Sequence, residues 1–194
     1  MKKQEIIAFF DRLAPEWDAE MIRSDEKIAF ILDAAGVCAG SHVLDVACGT
    51  GVLFSDYLAR GVGSVTAVDI SPEMARIAAA KTDDPRLTVR CGDVETMDFE
   101  RQFDCCVVYN AFPHFKDPQR LIDRLASLLA PGGRLCVAHG MSLEALHKHH
   151  EHARHVSRTM LNTDEMTALM KGRLQVETVV SDEEKYVVAA RRAD

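Results

Sequence analysis

The chain lacks any apolar run approaching the ~20 residues of a membrane-spanning helix, so a helical span is excluded. No apolar stretch follows Met1-Lys2-Lys3, and the expectation is a cytoplasmic protein that carries no leader. Basic residues are scarce. With 23 Lys and Arg against 30 Asp and Glu the formal net charge is −7, and the basic stripe of a nucleic-acid-binding surface is missing. The six cysteines, at 38, 48, 91, 105, 106 and 136, form no C-x-x-C pair, which argues for reduced, packed thiols. Cys48 alone sits in a turn with ligand-binding character. Internal repeats, low-complexity tracts and interior linkers are absent too, so residues 1–194 read as one domain, a size that allows a substantial core.

What is present centres on Val43-Leu44-Asp45-Val46-Ala47-Cys48-Gly49-Thr50-Gly51. An apolar strand, Val43 to Val46, runs into a glycine-rich turn and then a helix, Val52 to Arg60. Glycines on either side of one residue let backbone N–H groups approach a ligand with no Cβ in the way. A second strand, Val65 to Val68, ends in Asp69, twenty residues after Gly49, where a carboxylate can accept hydrogen bonds from ribose hydroxyls. The dinucleotide fingerprint G-x-G-x-x-G is incomplete, because Gly49-x-Gly51 is followed by Leu53 and Phe54. An acid four residues before the first glycine would also repel a pyrophosphate and favour a cation. S-adenosylmethionine carries a sulfonium, an ammonium and one carboxylate, and no phosphate. Asp45 to Gly51, together with Asp69, resembles motif I and the ribose acid of the class I S-adenosylmethionine-dependent methyltransferases.

Several further stretches fit that resemblance. Ser71-Pro72-Glu73 is a helix start, with Ser as cap and Pro in the first turn, for a helix reaching about Lys81. A third strand, Leu87 to Arg90, leads to Cys91-Gly92-Asp93-Val94, whose Asp93 resembles the family's acid near the adenine amino group. Phe103 to Tyr109 is almost continuously apolar, as suits a strand covered on both faces. The following Asn110-Ala111-Phe112-Pro113-His114-Phe115 looks like the family's loop where methyl group and acceptor meet. An amphipathic helix, Pro118 to Leu129, is stopped by Ala130-Pro131-Gly132-Gly133, and the fifth strand is Arg134 to Ala138. A helix from Thr163 to Lys171 precedes a sixth strand, Leu174 to Val180, and the chain closes on Tyr186 to Arg191. The short 181–184 link makes the last pair antiparallel. Strands alternating with helices imply a doubly wound α/β fold: a mostly parallel seven-stranded sheet, helices on both faces and an antiparallel last strand, the Rossmann-like methyltransferase fold.

Two regions lie outside that frame. Residues 4–35 read as helical with a break at Pro15, and residues 1–35 form an N-terminal helical cap. The run Phe9-Phe10-Asp11-Arg12-Leu13-Ala14-Pro15-Glu16-Trp17-Asp18 is similar to the segment that quinone-type small-molecule methyltransferases fold over the cofactor. The plain alternative is a helix packed on the sheet. Residues 139–162 form a His-rich acceptor-side insertion holding six of the eight histidines. Helical spacing puts Leu143, Leu146, His150 and Ala153 on the apolar side, His147 and Arg154 at its flanks, and His152 and His155 pointing away. His139, His147 and His150 are thus candidates for a general base, since imidazole titrates near neutrality. With Glu151 they are also candidates to hold a metal, although H-E-x-x-H spacing is missing and no metal is assigned. A third option is direct recognition of an anionic or metal-bearing substrate, and the remaining one is a solvated polar helix.

The resemblance implies the following roles. Asp45, Gly49 and Gly51 hold the methionine moiety, with Asp45 acting through its charge on the ammonium, and Ala47 and Thr50 also bind the cofactor. Asp69 binds the ribose hydroxyls and Asp93 the adenine, and Ile70, Met74, Gly92 and Val94 are further cofactor-binding residues. Asn110 and Ala111 wall the methyl group, while Trp17, Phe112 and His114 contact the acceptor. The expected activity is in-line methyl transfer to a small-molecule acceptor, with no nucleic acid or membrane partner and an unassigned oligomeric state. The alternatives are a non-catalytic module binding S-adenosylmethionine or S-adenosylhomocysteine, a metal-assisted enzyme using the His-rich helix, and a nicotinamide-dependent oxidoreductase.

Overall fold

The computed structural model describes residues 2–150 and 153–193, the side chain of His150 excepted. The sheet has seven strands: β1 (His42–Val46), β2 (Ser64–Asp69), β3 (Leu87–Cys91), β4 (Phe103–Tyr109), β5 (Leu129–His139), β6 (Gln175–Ser181) and β7 (Tyr186–Arg191). Their spatial order is β3-β2-β1-β4-β5-β7-β6. Strands β1 to β5 pair in parallel, and β7 runs antiparallel to both its neighbours. A β-turn whose Asp182 carboxylate accepts the backbone N–H groups of Glu184 and Lys185 makes that reversal.

The helices are α1 (Lys3–Leu13), α2 (Trp17–Glu20), α3 (Asp25–Ala34), α4 (Phe54–Ala59), α5 (Pro72–Ala79), α6 (Pro118–Leu128), α7 (Leu143–His150) and α8 (Thr163–Met170). Alternate residues of the central strands feed two apolar layers. One joins Leu44, Val46, Cys106 and Val108 to the buried stripe of α6, Leu121, Ile122 and Leu125. The other joins Val43, Cys105 and Val107 to Ile28, Ile31 and Leu32 of α3 and to Tyr57 of α4. Truncating a fully buried leucine such as Leu125 to alanine in such a layer costs about 2–5 kcal/mol. The winding reverses between β1 and β4, so the crevice at their C-terminal tips is the place where an open α/β sheet accepts ligands.

Four differences from the sequence reading have physical reasons. The 4–35 helix is three helices, because Pro15 enters a 3-10 turn (Ala14–Glu16) and Ser24 starts α3 afresh by accepting the N–H of Lys27. The helix after the glycine turn begins at Phe54 rather than Val52, since left-handed Gly49 and Gly51 use the intervening residues as turn. β5 begins at Leu129 rather than Arg134: Leu129 pairs with Phe103, and the Pro-Gly-Gly stretch is a register irregularity inside the strand instead of a stop. Finally α7 is described as far as His150 and the chain is in a turn at residues 154–156, so His155 does not continue the helical wheel. Its ring lies edge-on to Phe9 at 5.6 Å instead of pointing away.

Candidate functional site

Three carboxylates arrive at adjacent strand tips. Asp45 is the fourth residue of β1 and only 2 % exposed. Asp69 ends β2, and Asp93 follows β3. Between them the chain bends sharply: Ala47, Gly49 and Gly51 have φ of 53°, 57° and 85°. At Gly51 a Cβ would come within 2.4 Å of the Phe54 ring, so close packing as well as φ demands glycine. At Gly49 a Cβ would meet only the Trp17 indole nitrogen, 3.8 Å away, so this glycine faces open space beneath the cap. Ala47 carries the left-handed strain with a Cβ, at a cost of order 1–2 kcal/mol.

Asp69 organises this turn. One carboxylate oxygen accepts the Gly49 N–H at 2.8 Å and the other accepts the Ser71 N–H at 2.8 Å. Burial raises its pKa, moderated by the Ser71 and Gly49 N–H groups. Each oxygen keeps a second lone pair with which to meet a hydroxyl. Among the described residues Asp45 meets no such backbone donors. Burial first, then the neighbouring Asp69 charge, push it up to about 8, against a smaller lowering influence from Tyr57. The buried Tyr57 hydroxyl meets no partner of normal hydrogen-bond geometry among the described residues. Burial therefore favours the neutral form of Asp45 while no cation lies beside it. A cation placed beside it would ionise it. Cys48 is buried, its thiol pushed well up by burial and by Asp45 and Asp69, so it packs and is not a nucleophile.

The cap crosses these tips and touches each of them. The Lys3 ammonium pairs with Asp93. Asp11 accepts the Ser71 hydroxyl at 2.5 Å and the Glu73 N–H at 3.2 Å, closing the start of α5. Asp18 accepts the Thr50 hydroxyl at 2.5 Å and pairs with Lys81 at 2.7 Å. Phe10 stands edge-on to Trp17 at 5.8 Å and to His114 at 4.8 Å, bridging the glycine turn and the tip of β4. Lys3 and Lys81 were missed by sequence reasoning, whereas Phe10, Asp11 and Asp18 lie in the 9–18 run that it likened to a segment over the cofactor, without roles of their own. Asp11 directly follows the Phe-Phe pair and Asp18 directly follows Trp17, seven residues apart.

Other predicted residues fall into three groups. Thr50, Trp17, Asn110 and His114 join the carboxylates around the tips. Asn110 is left-handed, φ 54°, and its side-chain oxygen accepts the Gly140 N–H at 3.0 Å, tying the β4 tip to the β5 tip. His114 donates from Nδ1 to the Val156 carbonyl at 2.9 Å, with the Ser157 hydroxyl 3.2 Å away. Burial lowers its pKa, the Val156 carbonyl opposes this and His149 pushes it further down, so it is a neutral imidazole near pH 7. Met74, Val94, Ala111 and Phe112 are buried among core side chains. Ile70 and Gly92 are half-buried beside Asp69 and Asp93.

Two histidine expectations meet obstacles. His139 is 1 % exposed beneath the surface, edge-on to Tyr186 at 6.4 Å. His147 does not turn to the tips; its Nε2 bonds the Met160 carbonyl at 3.0 Å, fastening α7 to the segment before α8. The side chain of His150, with Glu151 and His152, lies outside the described residues. Among the described residues no three His, Cys, Asp or Glu side chains are arranged to hold a metal ion, and no helix is long and apolar enough to cross a membrane.

A donor set of carboxylates around an uncluttered glycine turn suits a nucleoside with a cationic tail and is unsuited to a pyrophosphate. Comparison with known proteins agrees. Residues 43–133 match the family described as "Methyltransferase domain". A ubiquinone biosynthesis O-methyltransferase of Coxiella burnetii is 38 % identical over 99 residues, 50 % of this chain and 42 % of that protein. The corresponding Xanthomonas axonopodis protein is 39 % identical over 101 residues, 50 % of this chain and 42 % of that one. The chain thus aligns with less than half the length of these curated relatives. The N-methyltransferase NodS of Bradyrhizobium japonicum, solved with S-adenosyl-L-homocysteine, superposes with a TM-score of 0.75 at 16 % identity, covering 97 % of this chain and 99 % of that one. The [4+2]-cyclase SpnF superposes with a TM-score of 0.81 at 14 % identity, covering 100 % and 97 %. These two likenesses establish the fold alone. Residues 43–133, which carry the motif turn and the strand-tip acids, are thus similar to the methyltransferase domain family.

Proposed function

We propose that this protein transfers a methyl group from S-adenosylmethionine to a small-molecule acceptor at the tips of β1 and β4. The observation that carries the reading is the row of three carboxylates, Asp45, Asp69 and Asp93, around a left-handed glycine turn. When bound, the cofactor supplies an electrophilic methyl on a sulfonium. Asp69 holds the ribose hydroxyls on its remaining lone pairs, Asp93 meets the adenine amino group, and Asp45 ionises beside the ammonium. Residues 1–35 act as a cap that excludes water, and 139–162 close the acceptor side of the single domain. Such a reaction depends chiefly on orientation, worth roughly 7–11 kcal/mol. His114 lies at the tip of β4: with Nδ1 donating to the Val156 carbonyl, the ring's lone pair is on Nε2. Asn110 holds the wall beside the methyl through Gly140.

The net charge of −7 supports a small molecule over nucleic acid, and the absence of a long apolar helix among the described residues suits a cytoplasmic enzyme. Since SpnF, named a cyclase, has the same fold, fold alone does not select the chemistry. Titration calorimetry with S-adenosylhomocysteine and with NAD tests the donor side. Binding of the first alone supports the reading, and binding of NAD alone overturns it. Transfer of labelled methyl to an acceptor library then separates an enzyme from a binding module.

A further inference from the structure

One hydroxyl beside the donor site, that of Tyr57, is buried with no bond of normal geometry among the described residues. Phe54 and Tyr57, one turn apart, are the buried residues of α4 and share the face turned to the sheet. Tyr57 is fully buried in one layer with Val43 of β1, Cys105 and Val107 of β4 and Cys136 of β5. Alternation along β1 puts Asp45 on the same side as Val43, and its register partners Ala67 and Val107 belong to that layer too. The Tyr57 hydroxyl and the Asp45 carboxyl therefore enter the same apolar layer, one from a helix and one from a strand. The titratable groups that face the hydroxyl are Asp45, Cys48, Cys105 and Cys136, and those that face Asp45 include Asp69 and Cys48. Burial pushes the thiols up, to about 12 for Cys105 and Cys136, so they keep their protons. An unbonded buried hydroxyl destabilises a fold, and phenylalanine would fill the same space without it. Packing does not account for the oxygen.

We propose that Tyr57 is a positioning residue of the donor site: its hydroxyl donates a hydrogen bond to the Asp45 carboxylate as that group ionises beside the ammonium of bound S-adenosylmethionine. The inference rests on the methyl-transfer reading and adds a residue to its donor side. Asp69 already has the N–H groups of Gly49 and Ser71 to hold it, whereas Asp45 meets no backbone donor among the described residues. An anion buried in that layer needs a donor, and the tyrosine O–H supplies one by turning about its C–O bond. A bond to the ionised carboxylate is roughly twice as strong as one to the neutral acid, so it forms as the charge arrives, and the carboxyl proton leaves to solvent. The carboxylate is thereby fixed from behind while its other oxygen meets the ammonium.

The test is Tyr57→Phe in the full chain, with S-adenosylhomocysteine as the probe in titration calorimetry and with melting of the unloaded protein followed by circular dichroism. At pH 7 the variant should bind about tenfold more weakly than the parent. Unloaded, it should melt no lower than the parent at pH 6, where Asp45 is neutral, and lower at pH 9, where the folded parent carries the charge. The sign follows from linkage: the hydroxyl lowers the Asp45 pKa in the folded chain, so without it stability goes on falling to a higher pH. In an Asp45→Asn background the difference between pH 6 and pH 9 should vanish. A variant that melts below the parent already at pH 6 has lost a packing role, and that result overturns the proposal. Equal affinity of parent and variant overturns it as well, as does a pH 9 difference that survives Asp45→Asn. Failure of the parent to bind S-adenosylhomocysteine would instead overturn the donor reading; the melting comparison would still decide whether Tyr57 serves the Asp45 carboxylate.

Discussion

Replacing Asp45 with asparagine should remove a pH dependence of stability that the wild-type protein shows between pH 6 and 8. In the folded chain the carboxyl sits at about 8, raised by burial and by Asp69, whereas in the unfolded chain it returns to 3.8. Above pH 4 the unfolded state has released this proton and the folded state still holds it. Stability therefore falls as pH rises through that window, by up to about 1.4 kcal/mol per unit. From pH 6 to 8 the loss approaches about 2 kcal/mol, or roughly 4–8 °C in melting temperature for a chain of this size. Asparagine keeps the shape and cannot ionise, so Asp45→Asn should lose this share of the pH dependence and melt above the wild type at pH 8. Asp69 is shifted in the same direction, so the difference between the two proteins is the relevant quantity. Thermal scans by circular dichroism at pH 6, 7 and 8 supply it. Parallel wild-type and variant curves would refute the buried, neutral Asp45. A linked consequence follows: an ammonium bound beside Asp45 lowers its pKa, so S-adenosylhomocysteine binding at pH 7 should release protons. Calorimetry in buffers of different ionisation enthalpy would register that release, and the signal should vanish in Asp45→Asn.

Asp69→Ala removes the acceptor for Gly49 and Ser71 as well as for ribose, and should weaken S-adenosylhomocysteine binding more than tenfold, since a hydrogen bond to a charged group is worth about 1.5–3 kcal/mol. Unchanged affinity by calorimetry would remove the ribose assignment. Gly51→Ala places a Cβ against the Phe54 ring at positive φ and should destabilise the fold by about 1–3 kcal/mol, measured by urea unfolding. Asn110→Gly keeps the left-handed backbone and loses only the Gly140 bond, whereas Asn110→Ala adds about 1–2 kcal/mol of strain; the alanine variant should therefore be the less stable of the two. His147→Ala should cost about 1 kcal/mol of stability through the lost Met160 bond and leave turnover per folded molecule unchanged. A large fall in turnover with stability intact would return His147 to the catalytic candidates.

The amino-acid order by itself determined the alternation of strands and helices, the seven-strand sheet and the turn from Asp45 to Gly51. These depend on features that are local in the chain: apolar runs of strand length, Ser-Pro helix starts, and glycines where a side chain would collide. Tertiary structure decided which charges are charges. Asp45 reads as an anion in the sequence, but only burial among Tyr57 and the central strands, with Asp69 beside it, holds its proton at neutral pH. The histidines show the same division. Spacing along a helical wheel placed His147 and His155 by extrapolation, yet the chain is in a turn at residues 154–156, so that His155 meets Phe9 while His147 is used by the Met160 carbonyl. Contacts across the cap, such as Asp11 with Ser71 and Asp18 with Thr50, join residues sixty and thirty-two positions apart. No periodicity carries that information, because it arises only when the sheet brings its tips together beneath the first helix.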